Sequence, residues 1–216
     1  MNKLWDSTFS IVACDPATGA LAVAVATARF AAGNRVPWLE FGVGAAAAQS
    51  NTDPRLARRA LAWMGGGAAV EEALAATLAA DAESATRQLS LIDPQGRACA
   101  FTGDLAEDWK GHLLGQNCVA AGNLLVGPET LSAMVGAFES APGRLGDRAL
   151  AALAAGQAAG GDRRGKRSAT LRVLYGPEDQ AQAYAHNIDL RVDGSADPIG
   201  DLEAIYLGYK AEFRID

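Results

Sequence analysis

The order of elements along the chain predicts an α+β fold, a four-layer αββα sandwich in which two packed, mostly antiparallel sheets are flanked by helix pairs. Strand-like apolar runs come first, two helical patterns follow, and the same alternation repeats before a closing group of strands. This grouping disfavours a parallel sheet, in which single strands and single helices alternate. The chain has 216 residues, half of them hydrophobic, which is enough for one core, and we expect one domain over 1–216.

The first elements are two β-rich runs, 8–14 and 20–28, on either side of a turn. The segment between them, "DPATG", opens with Asp-Pro and closes with Gly, which is typical of a hairpin connection. Residues 36–50 predict one further strand that runs into small residues. We therefore expect the chain to begin with antiparallel strands.

Two helices are predicted next. Thr52 or Asp53 can cap a helix over 54–64 that carries proline in its first turn, and three consecutive glycines end it. A second helix over 68–80 has a clear apolar face. The same criteria predict the remaining elements: a hairpin around 94–96, a strand over 112–121, helices over 128–140 and 145–157, strands over 168–175 and 184–192, and a helix over 197–210.

Composition and charge exclude several function classes. The chain carries 25 acidic and 19 basic residues and has a net charge of −6. The overall charge therefore does not attract nucleic acid or an anionic membrane. No apolar stretch approaches the ~18 residues of a membrane span, and "MNKLWDS" lacks the apolar segment of a signal peptide. We expect a cytoplasmic protein that acts on a small molecule.

The cysteines and histidines give no sign of a metal site. Cys14, Cys99 and Cys118 lie in apolar runs and form no C-x-x-C pair, as expected of buried thiols in a reducing compartment. His112 and His186 are far apart and have no neighbouring ligand cluster. We therefore expect neither a metal nor a cofactor.

A glycine-rich loop over 160–167 contains four cations. Its simplest interpretation is a solvated turn. The glycines, however, let the backbone approach a ligand, Arg163 or Arg164 can hold a carboxylate through two charge-assisted contacts, and Ser168 begins a strand directly behind. Anion recognition and a solvated turn both remain open at this stage.

Three polar residues stand where apolar strands end. Asn123 follows a glycine and can either orient a substrate amide or form a turn with positive φ. Gln49 and Ser50 come directly after a run of alanines and pose the same choice. Taken singly, each is compatible with a purely structural role.

Thr8 stands at the head of the first strand. A hydroxyl needs a base to become a nucleophile, and an N-terminal residue carries one in its α-amino group, whose pKa is about 7.7–8.0. This chemistry requires that the seven residues before Thr8 be removed. The alternative is an ordinary β-branched strand residue, which spacing alone favours.

Four segments carry a resemblance to a known family: "TFSIVACDPATGALAVAVATARF", "VPWLEFGVGAAAAQS", "GNLLVGPE" and "AGQAAGGDRRGKRSA". In order and spacing they resemble DUF1028, a bacterial and archaeal family placed in the Ntn-hydrolase superfamily, from Thr8 to about Leu202. The resemblance implies an αββα sandwich. It also implies amide-bond hydrolysis, in which an N-terminal Thr, Ser or Cys attacks a carbonyl and an acyl-enzyme is released by water.

The resemblance also implies roles for individual residues. Thr8 matches the nucleophile position, and Thr27 and Arg29 fall near the superfamily's acid and base positions. Related hydrolases such as proteasome subunits keep an aspartate where this chain has Thr27, so one charge is missing. We therefore keep a non-catalytic binding or assembly module as an alternative.

Further positions implied by the resemblance lie later in the chain. The backbone amides of Ala48 and Gln49 fall where an oxyanion would be held. Asn123 and Asp162-Arg163 lie in the family's own motifs.

The leading functional hypothesis is an Ntn-type hydrolase that cleaves a C–N bond of a small, carboxylated amide with Thr8 as nucleophile. Besides the non-catalytic module, a third hypothesis is a hydrolase whose nucleophile is a water positioned by Gln49, Asn123 and Asp162. An apolar sandwich with helical outer layers is also expected to form a homodimer.

Overall fold

Ten β-strands and five α-helices form the part of the chain that the computed structural model describes, residues 8–175 and 187–214. The strands are β1 (Thr8–Asp15), β2 (Ala20–Thr27), β3 (Pro37–Glu40), β4 (Gly44–Ser50), β5 (Arg87–Ile92), β6 (Ala98–Thr102), β7 (Gly111–Gly115), β8 (Cys118–Asn123), β9 (Ser168–Leu174) and β10 (Ile188–Val192). The helices are α1 (Pro54–Gly65), α2 (Val70–Ala79), α3 (Glu129–Ser140), α4 (Leu145–Ala158) and α5 (Pro198–Phe213).

The strands form two antiparallel sheets. One has six strands in the order β10-β9-β2-β1-β8-β7, and the other has four in the order β3-β4-β5-β6. Helices α1 and α2 cover the outer face of the four-stranded sheet, and α3, α4 and α5 cover the outer face of the six-stranded sheet. The arrangement matches the predicted αββα sandwich, with three helices in place of a pair on one side.

The layer between the two sheets is apolar over most of its area. Side chains alternate along each strand, so that in β1 and β2 every second residue faces this layer and the others face the helices. The buried side chains of the intersheet layer are Val12, Cys14, Leu21, Val23, Val25, Ala32, Val36, Ala45, Ala47, Ile92 and Val119. Mostly small or β-branched side chains thus fill the layer and allow a close approach of the sheets.

Two segments predicted as single strands are hairpins, and this corrects the sequence-based prediction. The segment 36–50 turns at Gly42, whose φ of 69° is left-handed, and β3 pairs antiparallel with β4. The segment 112–121 is part of a second hairpin that turns at Asn117, with φ of 59°, between β7 and β8. In both, a turn-forming glycine or asparagine stands within an otherwise apolar segment, whose overall composition favours a single strand.

The other described elements lie within a few residues of their predicted bounds. The helices begin and end as predicted to within three residues, and the hairpins at 15–19 and 93–97 are present. Positions 184–186 of the predicted strand 184–192, which include His186, lie outside the described residues.

No described helix has the length and apolarity that a membrane crossing requires. Cys14 and Cys118 are buried, Cys99 is half-buried, and burial raises the pKa of each thiol to about 12.

Asp53, rather than Thr52, caps the helix that follows β4. Its carboxylate accepts a hydrogen bond from the backbone N–H of Arg55 at 3.0 Å, and Pro54 occupies the first turn. The Oγ1 of Thr52 reaches only the Ser50 carbonyl, at 3.4 Å. The side-chain hydrogen bonds from Arg55 hold the pKa of Asp53 below its usual value.

We predict that Asp53→Ala lowers the free energy of unfolding by about 1 kcal/mol, because the first turn of α1 loses its cap. Since the folded pKa is depressed, this stabilisation is present above the ordinary carboxyl pKa and is lost as pH falls through the folded value. Urea unfolding at neutral and at acidic pH measures both effects. Thr52→Ala is the control and should change stability by less than about 0.5 kcal/mol; an equal loss in the two variants would contradict the assignment of the cap.

Candidate active site

Four predicted site residues form one row across the six-stranded sheet. Ser168 pairs with Thr27, Thr27 with Thr8, and Thr8 with Asn123, on the neighbouring strands β9, β2, β1 and β8. Alternation along the strands turns these side chains toward the intersheet layer, as it does for Val12 two pairs further along β1. All four residues are at most 2% exposed. Residues far apart in sequence therefore form a buried polar row at one end of an apolar layer.

A second polar row faces the first from the four-stranded sheet. Gln49, Gln88 and Thr102 pair in register across β4, β5 and β6. The hydroxyl of Ser10 donates to Gln49 Oε1 at 2.7 Å, and Asn123 Nδ2 donates to Gln88 Oε1 at 3.1 Å. These hydrogen bonds join the two sheets at the end where Thr8 lies.

Gln88 is the central residue of this network, and like Ser10 and Thr102 it is not among the residues predicted from the sequence. Its Oε1 accepts from Gln49 Nε2 at 2.8 Å, and its Nε2 lies 2.9 Å from the Gly111 carbonyl and 2.8 Å from the Gly122 carbonyl. The available signal was the alternation in "RQLSLI", which places Gln88 on the same strand face as Ile92. A single glutamine in a strand gives no indication that its partners lie on the opposing sheet.

Asp162 is a buried carboxylate that connects three segments. Its Oδ2 accepts from the backbone N–H of Ala28 at 3.1 Å, its Oδ1 accepts from the N–H of Arg164 at 2.9 Å, and its backbone forms an isolated bridge with Leu125. Burial raises the pKa of Asp162 above its usual value, although both hydrogen bonds and the Arg164 charge oppose this shift. The carboxylate thus fixes the loop 160–167 against the ends of β2 and β8.

The four cations of that loop have different environments. Arg164 lies 3.6 Å from Asp162, Lys166 pairs with Asp197 at 2.5 Å, and the Arg167 guanidinium lies 4.7 Å from the centre of the Phe30 ring. Arg163 is exposed, and its side chain has no partner among the described residues. Arg163 is therefore the cation best placed to meet a ligand.

The backbone holds this loop beside the polar row. The N–H of Arg163 donates to the Leu124 carbonyl at 3.0 Å, directly after Asn123, and the N–H of Arg167 donates to the Thr27 carbonyl at 2.8 Å. Gly160 and Gly161 precede Asp162 with φ of 118° and 57°. Such values favour glycine, which explains why the loop needs both residues.

Three other predicted residues occupy positions that differ from those of the row. Ala48 faces the helices, and its N–H, proposed for an oxyanion, already donates to the Val36 carbonyl at 3.1 Å. Ser50 has a left-handed φ of 72°, and its buried Oγ has no partner among the described residues. Arg29 is half-buried, and its carbonyl accepts from Ser168 Oγ at 2.7 Å, which ties the end of β2 to β9. The Ala48 amide is thus engaged within the sheet.

Ionisable groups are sparse around the two rows. His112, on β7, has a pKa lowered by burial, and its Nδ1 lies 2.9 Å from Thr102 Oγ1. Within 8–175 and 187–214, no three His, Cys, Asp or Glu side chains are grouped so that they could hold a metal ion. The chemistry that the described residues offer is therefore that of hydroxyls, carboxamides, one buried carboxylate and a nearby cation.

We predict that Asp162→Asn lowers the free energy of unfolding by about 1–3 kcal/mol, because one amide NH₂ then faces a backbone N–H that the carboxylate had satisfied. The folded pKa of Asp162 is raised, so the wild-type protein loses stability as pH rises from the ordinary carboxyl pKa through the folded value. The variant lacks this titration. The gap between the two proteins should therefore be larger near pH ~3.5 than at pH ~7.

Urea unfolding of both proteins across this pH range checks the prediction. Arg163→Ala is the matched control, since it changes the next residue without touching the buried contacts, and it should alter stability by less than about 0.5 kcal/mol. A gap that widens as pH rises would contradict the assignment.

Comparison with known proteins agrees with this architecture. The family model "Family of unknown function (DUF1028)" matches residues 8–202. The crystal structure of protein SPO2555 from Silicibacter pomeroyi, a DUF1028 protein, is similar with a TM-score of 0.86 and 33% sequence identity, over 94% of this chain and 86% of that one. A search of curated proteins finds no match. The chain therefore belongs to the DUF1028 family.

Proposed function

We propose that the protein is an Ntn-type hydrolase that cleaves the C–N bond of a small, carboxylated amide with Thr8 as nucleophile. The observation that carries the proposal is the position of Thr8 at the start of β1, 1% exposed, between Thr27 and Asn123 in the buried polar row. The match to the DUF1028 model also begins at residue 8. A hydroxyl at the first position of the matched region is where an N-terminal nucleophile would stand.

The proposed reaction requires that the chain start at Thr8. The free α-amino group, with a pKa of about 7.7–8.0, takes the proton from Oγ as Oγ bonds to the amide carbon. The tetrahedral intermediate then collapses, the C–N bond breaks, and the amino group returns a proton to the leaving nitrogen. Water attacks the resulting ester by the same route, which releases the acid and restores Thr8.

Arg163 is the residue that we propose for the substrate carboxylate. It is exposed in a loop whose backbone is hydrogen-bonded next to Asn123 and at Thr27, and the other loop cations have partners on the protein. A guanidinium can hold a carboxylate through two parallel, charge-assisted hydrogen bonds. This favours Arg163 over Arg164 as the anion-binding residue.

The hypothesis of a water nucleophile is less well supported by the contacts. Both oxygens of Asp162 accept backbone N–H groups, and both ends of the Gln49 carboxamide are hydrogen-bonded. These contacts hold the Asp162 carboxylate and the Gln49 carboxamide to the protein, whereas the water-nucleophile hypothesis requires the carboxylate to take a proton from a water. The non-catalytic module remains the second candidate, favoured by the uncharged Thr27 where related hydrolases keep an aspartate.

We predict that active protein has the intact mass of a chain that starts at Thr8, and that the chain starting at Met1 is inactive, because only the former has the α-amino base. Mass spectrometry of untagged protein, together with an assay of ammonia or amine release from a panel of N-acyl amino acids and their amides, checks this. Thr8→Ala should lower the rate at least about a thousandfold, whereas Thr8→Ser keeps a nucleophile and retains activity. An unchanged rate in Thr8→Ala would sink the proposal.

We further predict that Arg163→Ala raises KM for a carboxylated amide by about 10- to 100-fold, because one charge-assisted contact is lost. The corresponding uncharged amide should be hydrolysed with unchanged KM. Steady-state kinetics with the acid and its neutral analogue measure the difference. Arg59→Ala, which removes an exposed cation from α1, serves as control, and an equal effect of both variants would show that only the net charge matters.

A further inference from the structure

The orientation of the Gln88 carboxamide follows from its partners. Its Nε2 lies 2.9 Å from the carbonyl oxygen of Gly111 and 2.8 Å from that of Gly122. Backbone carbonyls accept hydrogen bonds and never donate them, so the group facing them must be the NH₂. The Oε1 of Gln88 therefore faces the opposite way, toward Gln49 and Asn123.

This orientation determines that of Asn123. Gln88 Oε1 can only accept, so Asn123 must present its Nδ2 to it, at 3.1 Å. Asn123 Oδ1 is then directed away from Gln88. It is buried and has no hydrogen-bond partner among the described residues, in a side chain that is 1% exposed overall. Leaving a buried acceptor unsatisfied costs about 1–3 kcal/mol, so this oxygen is a position where a ligand donor would be stabilising.

The unsatisfied oxygen belongs to the residue opposite Thr8. Thr8 and Asn123 are direct partners in the antiparallel β1–β8 pair, and both side chains point into the intersheet layer. The Cβ atoms of such pairs are about 5 Å apart. An acceptor on Asn123 is therefore within reach of a group one or two bonds from a carbonyl that Thr8 attacks.

We propose that Gln88 is a positioning residue that holds Asn123 as a hydrogen-bond acceptor for a substrate N–H. The leaving nitrogen must gain a proton and is served by a donor. An acceptor therefore suits the N–H of a second substrate nitrogen. This nitrogen does not react and is bonded to the carbon next to the attacked carbonyl. The substrate class is an α-acylamino carbonyl compound. This inference rests on the proposed function, because it takes Thr8 as the attacking group.

The test uses protein that starts at Thr8, released from a fusion by a protease that cuts in front of this residue. The probes are an N-acyl-serine β-lactone and its N-methyl analogue, which differ only in the N–H. Thr8 Oγ attacks the lactone carbonyl, the ring C–O bond breaks, and the proton of Oγ ends on the ring oxygen. The adduct therefore gains the mass of the whole probe, and its formation is followed by intact mass.

We expect the N–H probe to acylate the wild-type protein at least about tenfold faster than the N-methyl probe, as loss of one buried hydrogen bond requires. In Asn123→Leu and Gln88→Met the two rates should become similar. Ser90→Ala is the matched control, because Ser90 lies on the same face of β5 and its buried hydroxyl has no partner among the described residues; it should keep the preference. The ratio of two rates in one protein is independent of the folded fraction.

The outcomes separate this inference from the proposed function. Equal rates in the wild-type protein, or a preference that survives in Asn123→Leu, overturn the inference and leave Thr8 as nucleophile. A preference that is lost in Asn123→Leu but kept in Gln88→Met overturns the role of Gln88. No adduct from either probe on the wild-type protein overturns the proposed function, and the inference with it.

Discussion

The hydrogen bonds from Gln88 to the carbonyls of Gly111 and Gly122 join the two sheets at the polar end of the layer between them. They connect β5 of the four-stranded sheet to β7 and β8 of the six-stranded sheet. Elsewhere the sheets are held mainly by dispersion and by burial of apolar side chains, which are not directional, with one hydrogen bond from Arg172 on β9 to the Pro37 carbonyl on β3 at 3.2 Å. The Gln88 carboxamide, with five hydrogen-bond partners, does set direction, and it fixes which ends of the Gln49 and Asn123 carboxamides face it.

The polar side chains of the intersheet layer are concentrated toward one end. Valine and alanine dominate the layer around Val12, Val23 and Ala47, where Ser90 is a single buried hydroxyl opposite Ala47, whereas the rows that contain Thr8 and Gln88 lie at one end. Buried polar groups cost free energy unless they are hydrogen-bonded, so a layer selected for stability alone would be apolar throughout. Concentrating hydroxyls and carboxamides at one end, next to a cationic loop, is what a binding site requires.

The sequence predicts most elements because their periods are clean, but it misses two turns inside largely apolar segments. At the hairpins around Gly42 and Asn117 the glycines and the asparagine are the signal for the turn, and the apolar residues on both sides favour a single strand. The sequence likewise indicates only some of the candidate site residues.

Thr8, Thr27 and Asn123 lie at strand ends, where a polar residue stands out against an apolar strand. Gln88 lies within a strand, and its hydrogen-bond partner Asn123 lies on the other sheet. The partner of the Ala48 amide, the Val36 carbonyl, lies just before β3, and the sequence alone does not indicate it.

Asp162 places a carboxylate next to Thr27. Its carboxylate accepts the N–H of Ala28, the residue directly after Thr27, and Thr27 lies opposite Thr8. The fold thus brings a carboxylate to the end of β2 from a distant part of the sequence. Burial raises the pKa of this carboxylate, whereas the two backbone N–H groups and the Arg164 charge favour its ionised form. Under the proposed mechanism, an ionised carboxylate at this position stabilises the ammonium that forms when the α-amino group of Thr8 takes the hydroxyl proton.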